Sequence, residues 1–130
     1  MNDYFEKILQ ADVYEVAKKT PLEKAHNLSN KLKNDVFLKR EDLQDVCSFK
    51  IRGAYNKMRK LTKSQLAQGV ITSSAGNHAQ GVALSALKLN SLATILMPIT
   101  TPLVKINAVK NLKAKVILFG DNYDEAYKEA

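Results

Sequence analysis

Two short stretches hold the side chains best suited to chemistry: Cys47 to Gly53, which reads CSFKIRG, and Ser73 to Gly81, which reads SSAGNHAQG. In the first, Lys50 stands between an aromatic residue and an Ile-Arg-Gly run. A lysine amine attacks a carbonyl only when it is partly neutral, a state favoured by burial or by nearby positive charge. Phe49 and Arg52 would both act in that direction. In the second stretch, Ser73, Ser74, Asn77 and His78 gather polar groups between an apolar run and a helical one. A helix start there would present free backbone N–H groups to an anion. An ordinary cap and turn accounts for the same residues equally well.

Other chemistries fit less well. Gly76 and Gly81 have the outer spacing of a phosphate loop, but Val82 and Ala83 follow where Lys and Ser or Thr are needed, and GxGxxG is absent. The two histidines, His26 and His78, have no cysteine or acidic partners at metal-ligand spacing, so a metal site is not expected. His78 alone reads as a structural histidine. Cys47, the one cysteine, has no nominated base and cannot form an intramolecular disulfide.

Charge places the candidates in an unusual setting. Between Lys50 and Lys115 there are eleven Lys or Arg and no Asp or Glu, whereas residues 1–49 hold eight basic and nine acidic side chains. The whole excess of +7 therefore lies in the middle of the chain. Any acid or base drawn from this stretch must be Lys, His, Tyr, Ser or Thr. A polyanion-binding face is one reading, but three arginines, no tryptophan and no block of adjacent basic residues argue against nucleic acid. With 130 residues, 45% hydrophobic, the chain has the material for one ordinary domain. No apolar run reaches membrane-spanning length. A soluble protein of a reducing compartment, the cytoplasm, is expected.

The elements that must position these residues follow from periodicity. Tyr4, Phe5, Ile8, Leu9, Val13 and Val16 recur at helical spacing and predict an amphipathic helix over 3–18, with Asp3 at its cap. A short strand is expected at Val36–Lys39 and a helix over about 50–60. Thr62 and Gln65 form a capping pair for a short helix ending at Gly69. Then VITSS, LATILM and KVILF read as strands, separated by the helices NHAQGVALSALKL and TPLVKINAVKNL and followed by DNYDEAYKEA, capped by Asp121 or Asn122. Strand and helix in alternation mean a parallel sheet with crossover connections. The strands are apolar throughout, as expected for a sheet covered on both faces. Three such strands would leave an edge unpaired, so a truncated chain or one α/β lobe of a larger protein is expected, with a small autonomous domain or an obligate dimer as the open alternatives.

The segments LKREDLQDVCSFKIRGAYNKM, GVITSSAGNHAQGVALSA and MPITTPLVKINAVK, in that order, resemble the amino-terminal part of the threonine dehydratases, or threonine ammonia-lyases. These belong to the tryptophan-synthase-β-like pyridoxal-phosphate enzymes. The resemblance runs from about Thr20 to Ala130. It implies a partial parallel-sheet lobe of a two-domain enzyme, with residues 1–52 belonging with the large domain and 53–130 beginning the small one. It implies that Lys50 holds the cofactor as a Schiff base and later removes the substrate's Cα proton, with Phe49 beside the cofactor ring. Asn77 would hydrogen-bond the cofactor's phenolic oxygen. Ser74, Ala75, Gly76, Asn77 and His78 would receive the substrate carboxylate. Loss of the β-hydroxyl and hydrolysis would give 2-oxobutanoate and ammonia.

Related racemases look to carry a serine directly before the glycine of GNH; Ala75 stands there, which disfavours racemization. Catabolic threonine or serine dehydratase stays open, as does a noncatalytic binding or assembly role for the chain by itself. The phosphate-binding loop and the partner of the pyridine nitrogen are expected downstream, so the chain alone is expected to be inactive. The resemblance further implies a small amino-acid substrate, no nucleic acid or membrane partner, and a homo-oligomer at full length.

Overall fold

A computed structural model describes residues 3–130. The elements are α1 (Asp3–Leu9), β1 (Leu22–Lys24), α2 (His26–Leu32), β2 (Phe37–Lys39), α3 (Lys50–Met58), α4 (Lys63–Gln68), β3 (Val70–Ser73), α5 (Asn77–Lys88), β4 (Ala93–Met97), α6 (Leu103–Asn111), β5 (Lys115–Leu118) and α7 (Tyr123–Glu129). Short 3-10 turns lie at Val13–Glu15 and Glu41–Leu43.

The second half follows its sequence pattern closely. β3, β4 and β5 form a parallel sheet in that order, with Thr72 opposite Ile95 and Ile95 opposite Val116. The central strand β4 is almost wholly buried, as its unbroken apolar run requires, whereas β3 and β5 are only partly covered. Covering of both faces therefore holds for the middle strand and not for the edges. α5 and α6 contact each other, and α7 returns across β4 toward β3. That reversal of direction, with right-handed crossovers, carries α7 to the opposite face from α5 and α6. Asn122 is the residue that caps α7, accepting from the Glu125 amide at 3.1 Å. Thr62 and Gln65 make the expected reciprocal capping box on α4, which ends at Gly69.

The first half departs from its pattern. The helix expected over 3–18 stops at Leu9, and the chain turns through Val13–Glu15 instead. Tyr4, Phe5, Ile8 and Leu9 are all at least 67% exposed, so the apolar face that the spacing suggested is left uncovered by the described residues. The residues beyond it are claimed by the rest of the molecule. Glu15 accepts hydrogen bonds from the Tyr55 hydroxyl and from Arg59, and Ala17 is buried with Val46, Ile51 and Leu84. A continuous helix could not satisfy those contacts. The antiparallel pair β1–β2 and helix α2 had no sequence signal beyond the strand at 36–39; β1 and β2 are exposed along their whole length.

The main core lies between α3, α5, α6 and the sheet, built from Ala54, Met58, Val82, Ile95, Met97 and Ile106 among others. α5 is the element in the middle. Seven of its twelve residues are buried, mostly small ones, which lets it pack on the sheet and on α3 together.

Candidate active site

Lys50 is the first residue of α3, and it is exposed. Its ammonium lies 5.0 Å from the centroid of the Phe49 ring, itself 59% exposed. A cation over an open aromatic face is a favourable contact. It also places this amine beside a flat apolar surface. On the other side of Phe49, the Ser48 hydroxyl is buried without a hydrogen-bond partner among the described residues.

The second stretch lies at the carboxyl end of β3, the end at which open parallel sheets bind ligands. The Ser74 amide continues the sheet by donating to the Leu96 carbonyl at 3.0 Å. The Ser74 Oγ then turns back and accepts from the amides of Gly76 and Ala79, each at 3.3 Å. Two of the free donors at the start of α5 are thereby satisfied. Those of Asn77 and His78, in the first turn, have no intrahelical partner and, among the described residues, no side-chain cap. Ser73, like Ser48, holds a buried hydroxyl with no partner among the described residues. Ala75 is half-buried and packs against the main core.

Gly81 brings the two stretches together. A Cβ built there would lie 3.0 Å from the Lys50 carbonyl carbon, 3.1 Å from its oxygen and 3.2 Å from the Ile51 nitrogen. α5 thus touches the backbone of Lys50 itself, and Asn77 is one helical turn upstream of that contact, about 6 Å of rise. The proximity registers electrostatically. Burial first, and then the positive charge of Lys50, hold the His78 imidazole below its ordinary pKa. Lys50 and the first turn of α5 are therefore neighbours in space.

Arg52 is paired in space although no carboxylate lies near it in sequence. Its guanidinium does not stand in a carboxylate-free region, because Nε and Nη2 each donate to Glu41 at 2.8 Å. Arg52, hydrogen-bonded first of all, holds the Glu41 carboxyl down to about 2 against the opposing effect of burial. Folding brings in a carboxylate from eleven residues upstream, which a count along the chain misses. Glu41 and Gly81 are the site-related residues that sequence reasoning overlooked. A glycine inside an otherwise regular helix was a readable hint of close backbone approach; nothing in KRED announced the partner of Arg52.

These residues fit a pyridoxal-phosphate group. An accessible amine, a bare aromatic face, a side-chain amide, two free backbone donors and two unpartnered hydroxyls are the kinds of groups such a ligand engages. Residues 13–130 match the family of pyridoxal-phosphate dependent enzymes, and the chain belongs to that family. Its fold is that of the tryptophan-synthase-β-like members, as the sequence resemblance implied.

Within the family, the chain is 62% identical over 124 residues to threonine dehydratase 1, biosynthetic, chloroplastic, of Solanum lycopersicum. That alignment covers 95% of this chain and 20% of the relative, so the chain spans about a fifth of the curated protein's length. Among solved structures it is similar to the processed form of threonine deaminase isoform 2 from Solanum lycopersicum, with a TM-score of 0.92 and 50% identity over 99% of this chain and 37% of the other. Maize serine racemase is similar at a TM-score of 0.87 and 30% identity, covering 93% of this chain and 37% of the other. Among the described residues, no helix is long and apolar enough to cross a membrane.

Proposed function

We propose that the full-length protein deaminates L-threonine to 2-oxobutanoate and ammonia with pyridoxal phosphate, as a step of isoleucine biosynthesis. The observation that carries this reading is the contact of α5 with the Lys50 backbone at Gly81, which sets the one exposed amine beside Phe49 against the donor-rich loop Ser74–His78. Lys50 holds the cofactor and takes the substrate's Cα proton on its Nζ. Phe49 flanks the ring, and the Asn77 amide binds its phenolic oxygen. The loop Ser74, Ala75, Gly76, Asn77 and His78 receives the substrate carboxylate, with the backbone donors of Asn77 and His78 as its anion contacts. When bound, the cofactor supplies the electron sink that makes the Cα proton removable; the chain supplies placement and the base.

Ala75 supports elimination over racemization, since it offers no hydroxyl to return a proton from the opposite face. The higher identity to a threonine deaminase than to a serine racemase points the same way. The biosynthetic role is favoured over a catabolic one by the 62% identical relative, itself named biosynthetic. Residues 1–52 belong with a larger domain and 53–130 begin a smaller one; the bare apolar face of α1 supports this, being a surface that another part of the protein would cover. The chain by itself is inactive, and the full-length protein is a homo-oligomer that engages neither nucleic acid nor membrane. A cytoplasmic location is part of the same reading.

The test is absorbance of the full-length protein with pyridoxal phosphate, before and after borohydride, followed by peptide mapping. The expected result is a cofactor trapped on Lys50, and a K50A variant with no trapped cofactor and activity lowered by about 1,000-fold or more. Trapping on another lysine would remove the assignment. A keto-acid assay with threonine and serine then fixes the substrate.

A further inference from the structure

Two carboxylates from the leading half of the chain reach α3, and they reach different ends of it. Glu15 takes hydrogen bonds from Tyr55 and Arg59 in the second half of the helix and just beyond it, where the ionised pair Arg59–Glu15 is about half exposed. Glu41 takes Arg52, two residues after Lys50, where the pair is largely buried at 23% and 14% side-chain exposure. The Glu41 site is the more elaborate. Its Oε1 also accepts from the Thr20 hydroxyl at 2.6 Å and its Oε2 from the Gln44 amide at 3.2 Å. Gln44 is fixed in turn to the Lys18 backbone through both of its amide atoms, at 2.8 and 2.9 Å. The Arg52 Nη2 also donates to the Lys18 carbonyl at 3.1 Å, with the Tyr14 ring 5.3 Å from the guanidinium carbon.

We propose that Glu41 is a positioning residue for Lys50, acting through Arg52. Among the described residues no side chain caps the start of α3, so its first turn, with Lys50 in it, lacks the usual fastening. The guanidinium fork, bonding both carboxylate oxygens, supplies one: two parallel N–H···O bonds fix the rotation of that turn about the helix axis. The Gly81 contact fixes how closely the same turn approaches α5. Direction from one side and distance from the other fix the point and the angle at which the Lys50 side chain leaves the backbone toward a ligand held by Asn77. Glu15, a full turn or more further along, fastens α3 without setting that angle.

The inference rests on the proposed role of Lys50, and its test separates the two. The full-length protein is compared as wild type, E41Q, R52K and E15Q. In E41Q the affinity for pyridoxal phosphate falls about 10-fold and kcat falls by a similar factor, with KM for the amino acid changed less. In the cofactor-free protein, amide exchange at Arg52 and Gly53 accelerates. R52K, which keeps the charge but loses the fork, lies between E41Q and wild type. E15Q lowers the thermal midpoint but leaves cofactor affinity and first-turn exchange within about 2-fold of wild type, as expected for a tie remote from the amine. Equal behaviour of E41Q and E15Q in affinity, kcat and exchange overturns the proposal. Should E41Q not accumulate as folded protein, R52K against E15Q decides on the same readouts. A wild type whose cofactor is trapped elsewhere than Lys50 overturns the functional reading instead, and the exchange comparison then stands alone.

Discussion

The two halves of the chain hold α3 by different physics. From α5 onward the contact is apolar and close: Ala54 and Met58 of α3 meet Ala79, Val82 and Ala83 of α5, over a sheet whose central strand is almost wholly buried. From residues 12–48 the contact is mainly polar and long in sequence, through Glu15 to Tyr55 and Arg59 and through Glu41 to Arg52, with a small apolar patch of Ala17 and Val46 against Ile51 and Leu84. Apolar packing fixes how near two elements come, and paired charges fix how they are turned. Lys50 stands at the seam and receives both.

The largest effect comes from breaking the apolar side. Ile95, fully buried in the middle strand, loses several carbon–carbon contacts on conversion to alanine, and I95A should cost about 2–5 kcal/mol in denaturant unfolding. A cost under about 1 kcal/mol would mean that the sheet, as described, is not where the stability of this half resides.

The seam is next, and two helical glycines divide the outcome. Gly53 in α3 has nothing within 4 Å of a built Cβ, whereas at Gly81 the Lys50 backbone lies at 3.0 Å. G53A should raise stability by about 0.5–1 kcal/mol, because alanine loses less entropy in a helix. G81A should lower it by about 1–3 kcal/mol through overpacking against backbone that cannot move aside cheaply. Similar changes of one sign in thermal melts would erase the distinction.

The polar side is tested by acid. The folded Glu41 carboxyl is held at about 2, below its ordinary 4.5, chiefly by the hydrogen bonds from Arg52. A depressed folded pKa contributes stability that is fully present above about 4.5 and is lost as pH falls through about 2. E41Q should flatten that part of the stability–pH curve, by an amount on the order of 3 kcal/mol between neutral pH and pH about 2. An unaltered curve would mean that other carboxylates carry the acid response.

Legibility follows the same division. The α/β half was readable because its signals are local: apolar runs in Val70–Ser73, Ala93–Met97 and Lys115–Leu118, a capping box at Thr62, and an asparagine cap at 122. The Lys50 and Ser74–His78 stretches were visible for the same reason, as polar or reactive groups concentrated where a strand or helix begins or ends. The leading half was readable at one place, the strand expected over Val36–Lys39 and found at Phe37–Lys39. Its helical spacing over 3–18 persists only to Leu9, because Glu15 and Ala17 are bound to partners distant in sequence. The charge setting of Lys50 failed similarly, since a stretch without carboxylates in sequence acquires Glu41 in space.

The smallest prediction isolates what sequence alone can specify. At Thr62 the hydroxyl accepts from the Gln65 amide at 3.2 Å and the Gln65 side chain accepts from the Thr62 amide at 2.9 Å, a closed exchange within four residues that involves neither α5 nor the leading half. T62A removes one acceptor and leaves a helix-start amide to water, which costs about 1 kcal/mol. Because the exchange is local, the loss should be the same in wild-type, E41Q and G81A backgrounds, within the few tenths of a kcal/mol expected for independent sites. A double-mutant cycle with a coupling above about 0.5 kcal/mol would show that α4 is part of the seam that holds Lys50 and not a freestanding element. Additivity would confine that seam to the first turn of α3, Gly81 and the Glu41 cluster.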